Sequence, residues 1–122
     1  MNQRTVLVVD DDDQWGCTMC DLLAEFVAVG THWEASGAAA LNWLHQAPCD
    51  LVISDVDMPE MSGFELLAQI QRRYQSLPVA LMSARASGPL IKEAEQAGAL
   101  GMLAKPSDPQ AITNLVERAW GA

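Results

Sequence analysis

An α/β fold of the type (βα)5, a doubly wound parallel sheet covered on both faces by crossover helices, is the architecture this sequence predicts. Three observations carry it. Short apolar, β-branched runs recur along the chain, segments with helical spacing alternate with them, and capping residues open most of those segments. Runs that are apolar on both faces are what a parallel sheet, buried on both sides, demands.

The first run, Thr5 to Val9, reads as a buried strand. A helix follows, with Asp13 placed to cap it, Trp15, Met19, Leu22, Leu23 and Phe26 on one face, and Gly30 as its stop. Thr31 to Ala35 makes a weaker second strand. Ser36 caps a second helix that carries Leu41 and Leu44 before Pro48. Leu51 to Ser54 repeats the buried-strand pattern and ends at Asp55. Beyond the loop VDMPEMS, Ser62 and Glu65 have the spacing of a capping box, and Leu66, Leu67, Ile70 and Tyr74 face the core. Val79 to Met82 is the fourth strand and runs into Ser83. Ser87 and Pro89 open a fourth helix with Ile91, Ala94 and Ala97 inward and Gly98 as its stop. Leu100 to Leu103 is the last strand, before Lys105-Pro106. Asp108 and Pro109 then cap a fifth helix lined by Ile112, Leu115, Val116 and Ala119.

The 122 residues suit one domain, spanning 1–122, without linker, repeat or low-complexity segment. No apolar stretch is long enough for a membrane span, and MNQRT does not open a signal peptide, so a cytoplasmic protein is expected. Sixteen acidic residues against seven basic ones give a net charge of −9, which argues against direct contact with nucleic acid or an anionic membrane. The imbalance is local: residues 1–60 hold eleven acids and, on the basic side, Arg4 alone, whereas the second half is almost balanced. A bound cation or a solvated acidic rim would tolerate that field.

In an open parallel sheet, ligands sit beyond the carboxyl ends of the strands where strand order reverses. That rule selects Asp10 and Asp11 after the first strand, Asp55 after the third, Ser83 after the fourth and Lys105 after the fifth. Clustered carboxylates resist joint ionisation unless a cation joins them, and oxygen-only ligands favour a hard divalent ion such as Mg²⁺. Such a site suits phosphoryl transfer, with Asp55 as the nucleophile that becomes an aspartyl phosphate, and with Lys105 as a fixed positive charge. Ser83 could then donate to the phosphoryl group and draw its loop inward.

The runs VLVVDDDD, LVISDVDMPEMSGFELL, PVALMSA and GALGMLAKP, in this order and spacing, resemble the receiver domain of two-component response regulators, the CheY-like family. The resemblance covers nearly the whole chain. It implies the flavodoxin-like strand order 2-1-3-4-5, a phosphoacceptor at Asp55, and a Mg²⁺ site (Mn²⁺ as a substitute) built from Asp10, Asp11, Asp55 and the backbone carbonyl of Asp57. It also implies a hydroxyl switch at Ser83 and a catalytic lysine at Lys105. The phosphoryl donor would be a sensor histidine kinase or a histidine phosphotransfer protein. The domain would catalyse its own phosphorylation and dephosphorylation rather than turn over an external substrate. Output would pass through the fourth helix, fifth strand and fifth helix, by self-association or an effector domain. Two departures stand out: Met102 occupies the switch position where the family often has an aromatic ring, and Arg85 lies two residues beyond Ser83.

Rival readings start from other residues. Cys17-Thr18-Met19-Cys20 is a CxxC, but four preceding aspartates oppose a low thiol pKa, and Cys49, His32 and His45 are too scattered for a closed zinc site. Asp55-Val56-Asp57 also resembles the DxD of haloacid-dehalogenase-like phosphatases, although Asp10-Asp11 upstream is the receiver order. A third alternative is a protein-binding receiver only weakly coupled to phosphorylation.

Overall fold

The computed structural model describes residues 3–121; of the predicted domain 1–122, Met1, Asn2 and Ala122 lie outside the described residues. Among the described residues five strands and five helices alternate: β1 (Thr5–Val9), α1 (Asp13–Val27), β2 (Gly30–Glu34), α2 (Gly37–Leu44), β3 (Leu51–Asp55), α3 (Gly63–Arg73), β4 (Val79–Ser83), α4 (Gly88–Gln96), β5 (Met102–Ala104) and α5 (Pro109–Trp120). All strand pairs are parallel, in the order β2-β1-β3-β4-β5. The order reverses between β1 and β3, so the carboxyl ends of these two strands open the crevice that such sheets use for ligands.

Alternation along the strands divides the core in two. Val6 and Val8 of β1 join Met19 and Leu23 of α1 and Ile112, Leu115 and Val116 of α5 on one face. Leu7 and Val9 point the other way, into Ala40 and Leu44 of α2, Leu66, Leu67 and Ile70 of α3, and Ala94 of α4. β1, β3 and β4 are buried along almost their whole length. Each large aliphatic side chain buried this way contributes about 1.5–3 kcal/mol, and the sum fixes the strand ends as a rigid platform.

The capping residues do the local work. Ser62 and Glu65 form the predicted capping box, with Ser62 N donating to Glu65 Oε1 and Glu65 N to Ser62 Oγ. Ser36, Ser87 and Asp108 cap their helices as expected. The cap of α1 is Asp12, not Asp13: its extended backbone lets its carboxylate accept from the amides of Gln14 and Trp15, and Asp13 becomes the first helical residue. The helix ends at Ala28, whose φ of 52° makes the left-handed turn expected of Gly30. Gly30 is thereby released to begin β2, its amide donating to Arg4 O.

Three side chains depart from the predicted core. Phe26 is 46% exposed and Ile91 40% exposed, and Ala97 also faces solvent. The helix α4 meets the rest of the fold sparsely and buries Ala94 alone, so its apolar stripe is narrower than the spacing suggests. β5 is correspondingly short. Leu100 and Gly101 already bond to β4 through Leu100 N to Val79 O and Leu81 N to Gly101 O, but the regular ladder begins at Met102.

Candidate acidic site at the sheet's carboxyl edge

Asp10 follows β1 directly and is fully buried. Its position is overdetermined. The amide donates to Glu34 O at 3.1 Å, the carbonyl accepts from Trp33 Nε1 at 2.9 Å, and Oδ1 accepts from Asp12 N at 3.0 Å. That leaves Oδ2 directed into the site, where it has no hydrogen-bond donor among the described residues. Lys105 Nζ lies 2.5 Å from it, an ionic contact outside hydrogen-bond alignment.

Asp55 ends β3, almost as deeply buried. Its backbone is held by the loop that follows: Val56 N donates to Met82 O, and Gly63 N donates back to Val56 O at 2.9 Å. This return brings the start of α3 against the Asp55 carbonyl so closely that a Cβ on Gly63 would collide with the carbonyl oxygen and with Val56 Cα. Asp55 Oδ1 lies 3.1 Å from Lys105 Nζ. The lysine therefore sits between two buried acids, with only 15% of its own side chain exposed.

The electrostatics follow from that burial. Burial raises the Asp55 carboxyl above its ordinary value, Lys105 beside it opposes the rise, and the charges of Asp10 and Asp57 add to it. Burial alone would lower the Lys105 amine, but its contacts with Asp10 and Asp55 outweigh that and hold it above its ordinary value. The ammonium is thus a permanent charge at neutral pH.

Asp11 is exposed at the lip, yet one of its carboxylate oxygens and one from each of Asp10 and Asp55 all lie within 4.8 Å of one another. Three hard oxygen donors at that spacing, two of them held beside a single ammonium, fit a hard divalent cation of the Mg²⁺ type. It is the one such His, Cys, Asp or Glu cluster among the described residues.

Ser83 closes β4, fully buried, and its Oγ accepts from Arg85 N at 3.0 Å. Lys105 N donates to Ser83 O at 3.0 Å, which locks the ends of β4 and β5 together. Asp57 lies in the loop after β3, and its side chain pairs with Arg85 across the mouth, Nη2 to Oδ2 at 2.7 Å, with both partners well exposed. Met102 pairs with Leu81 in the ladder and packs half-buried against the α2–α4 face. The structure thus brings Asp10, Asp11, Asp55 and Lys105 together, sets Ser83 on the adjoining strand end, and leaves Met102 half-buried on the face that α2, α3 and α4 cover. Trp15, read from sequence as a core residue only, reaches this site as well: Lys105 Nζ stands 5.6 Å from its ring centre.

A family model described as the response regulator receiver domain matches residues 6–117. This chain belongs to the response regulator receiver domain family. The receiver is 42% identical over 117 residues to the response regulator protein FleR of Pseudomonas aeruginosa, covering 93% of this chain and 24% of that protein. It is 32% identical to the chemotaxis protein CheY of the same organism, covering 94% of each. Among solved structures, Vibrio cholerae chemotaxis protein CheY4 superposes with a TM-score of 0.87 at 28% identity, over 97% of this chain and 99% of that one. The chain therefore spans about a quarter of FleR and nearly all of CheY. The fold and the acidic cluster are those of a receiver in a two-component system, and the haloacid-dehalogenase alternative gives way to it.

The other sequence-level rivals meet plain geometry. Cys17 is exposed and Cys20 half-buried, both as free thiols. Burial raises the Cys20 thiol, the opposite of the activation a redox CxxC needs. His32 stacks on Trp43 with ring centres 4.4 Å apart and pairs with Glu34. An open cleft of about 720 Å³ bordered by Arg4, Asp50, Tyr74 and Trp120 lies at the amino end of the strands and shares no residue with the acidic site.

Proposed function

We propose that residues 1–122 form a single phosphoacceptor domain in which Asp55 takes a phosphoryl group from a phosphohistidine, on a sensor histidine kinase or a histidine phosphotransfer protein. The N–P bond of the donor breaks, the imidazole leaves with its electron pair, and an Asp55 carboxylate oxygen forms the new O–P bond. One observation carries this reading: the carboxylates of Asp10, Asp11 and Asp55 share a 4.8 Å neighbourhood while Lys105 stands between Asp10 and Asp55.

Each residue has a role its chemistry suits. Asp10, Asp11, Asp55 and the backbone carbonyl of Asp57 are the groups to hold Mg²⁺, or Mn²⁺ in its place. The ion supplies Lewis-acid neutralisation of phosphoryl oxygens. Asp55 attacks in line. Lys105, a fixed cation, steadies charge on the phosphoryl group, and Ser83 Oγ, now accepting from Arg85 N, turns to donate to it. Its loop leads into α4 and β5, so the α4–β5–α5 surface is where modification is read, by self-association or an effector domain. Met102 in place of a ring makes that coupling rest on a flexible thioether. The self-catalysed gain and loss of phosphoryl is the domain's chemistry, without turnover of an external substrate. No described helix is long and apolar enough to cross a membrane, and the proposed partners place the domain's work in the cytoplasm. The acid-rich first half disfavours direct binding to nucleic acid.

The test is incubation with Mg²⁺ and acetyl phosphate followed by mass spectrometry. One phosphoryl adduct that maps to Asp55 and disappears in Asp55→Ala is expected. An adduct that persists in Asp55→Ala overturns the assignment.

A further inference from the structure

Trp15 stands at a point where three parts of the site meet. Its backbone is fixed in the first turn of α1, where its amide donates to the capping Asp12 carboxylate at 3.3 Å. Its indole Nε1 donates to the sulfur of Met82 at 3.3 Å, and Met82 is fully buried immediately before Ser83. Held at both ends, the ring presents its face to the Lys105 ammonium 5.6 Å away, inside the range at which a cation is attracted by an aromatic quadrupole.

The lysine needs such a support for a reason the acids create. Its ammonium occupies the space between Asp10 Oδ2 and Asp55 Oδ1. A divalent cation drawn to those same oxygens competes with it and repels it. A long, flexible amine released from its anionic partners would otherwise scatter among solvent-facing rotamers and be absent when charge develops on the phosphoryl group.

We propose that Trp15 is a positioning residue for Lys105: its aromatic face retains the ammonium at the rim when the carboxylates turn to metal and phosphoryl oxygens. The proposal rests on the phosphoacceptor reading above for its functional consequence, but its geometry is testable without phosphorylation. An aromatic ring held over Lys105 shifts the ε-methylene protons upfield. That shift is expected in the wild-type protein both without Mg²⁺ and at saturating Mg²⁺, to survive in Trp15→Phe, and to vanish in Trp15→Leu. A wild-type shift that disappears on adding Mg²⁺ overturns the proposal.

The kinetic arm uses acetyl phosphate at saturating Mg²⁺. Trp15→Leu is expected to slow phosphorylation severalfold with an unchanged Mg²⁺ midpoint, and Trp15→Phe to recover most of the loss even though it lacks the N–H group. In the Lys105→Met background, Trp15→Leu should add nothing further. Losses that multiply in the double variant would show that the ring acts independently of the lysine and overturn the proposal. Circular dichroism on each variant separates misfolding from mispositioning, with Trp15→Phe carrying the comparison should Trp15→Leu not fold. A wild-type protein that takes no phosphoryl group would refute the phosphoacceptor reading alone and leave the proton shifts to decide the role of Trp15.

Discussion

Gly63→Ala puts one carbon where the structure has no room for it. The new Cβ would fall against the Asp55 carbonyl oxygen and within 3.0 Å of Val56 Cα, both of them backbone atoms of the segment that positions Asp55, the proposed acceptor. A flexible side chain could swing aside, but this backbone is pinned by Val56 N to Met82 O and Gly63 N to Val56 O, so α3 must move instead. Overpacking of that kind costs about 1–3 kcal/mol. The better helix propensity of alanine returns at most about 1 kcal/mol, and less in the first turn. For 122 residues, an unfolding entropy of about 2.1 cal/mol/K per residue makes each kcal/mol worth roughly 4 °C in Tm, so the net cost of about 0.5–2.5 kcal/mol becomes a fall of roughly 2–10 °C. Differential scanning calorimetry measures it, and the same variant should phosphorylate more slowly because the strain is delivered to Asp55 itself. A Tm equal to or above that of the wild type would refute the reasoning, since it would mean that the α3 start is not seated on the Asp55 carbonyl.

Other perturbations test the electrostatics. Burial raises the Asp55 carboxyl above its ordinary 3.8. A raised acid favours the native state in full below that ordinary value, and the benefit is lost as pH climbs through the raised one, so near neutrality the ionised group opposes folding. Asp55→Asn should therefore melt at a higher temperature than wild type at neutral pH, with the gap closing on acidification; a gap that widens toward acid contradicts the sign. Mg²⁺ at about a hundredfold excess over its Kd should stabilise the wild type by about 2.7 kcal/mol, seen as a rise in Tm that Asp11→Asn largely removes. The Arg85–Asp57 pair is exposed on both sides, so Arg85→Ala should leave thermal unfolding unchanged in calorimetry; a clear drop in Tm would mean the pair is part of the fold rather than a contact across the mouth.

Much of the fold was legible because local chemistry and tertiary demand agree. Strands apolar on both faces announced a buried parallel sheet, and Ser36, Ser62, Ser87 and Asp108 marked helix starts that the structure keeps. The site was legible because strand ends could be located, and Asp10, Asp55, Ser83 and Lys105 all sit at such ends. Errors fall where a neighbouring residue could supply the same backbone geometry. Asp12 and Asp13 are equivalent as letters, and only the extended conformation of Asp12 selects it as the cap. Ala28 takes a left-handed turn for which glycine is the better sequence signal. The periodicity of α4 overstates its core because periodicity cannot register how little of the sheet a peripheral helix covers. Trp15 shows the same limit at the site. Its helical spacing identified an apolar position, whereas its bond to Met82 and its approach to Lys105 join residues far apart in the chain.

At the far pole, Arg4 stacks 4.5 Å above the Trp120 ring, whose Nε1 also donates to Asp50 O. Residues at the start of β1 and the end of α5 therefore touch, on the side of the sheet away from the acids. A short linker joining the two regions, with new termini opened in an exposed loop, should give a circularly permuted chain that keeps its chemistry. Material grafted at this pole can be changed freely in size without standing between Asp55 and whatever approaches it.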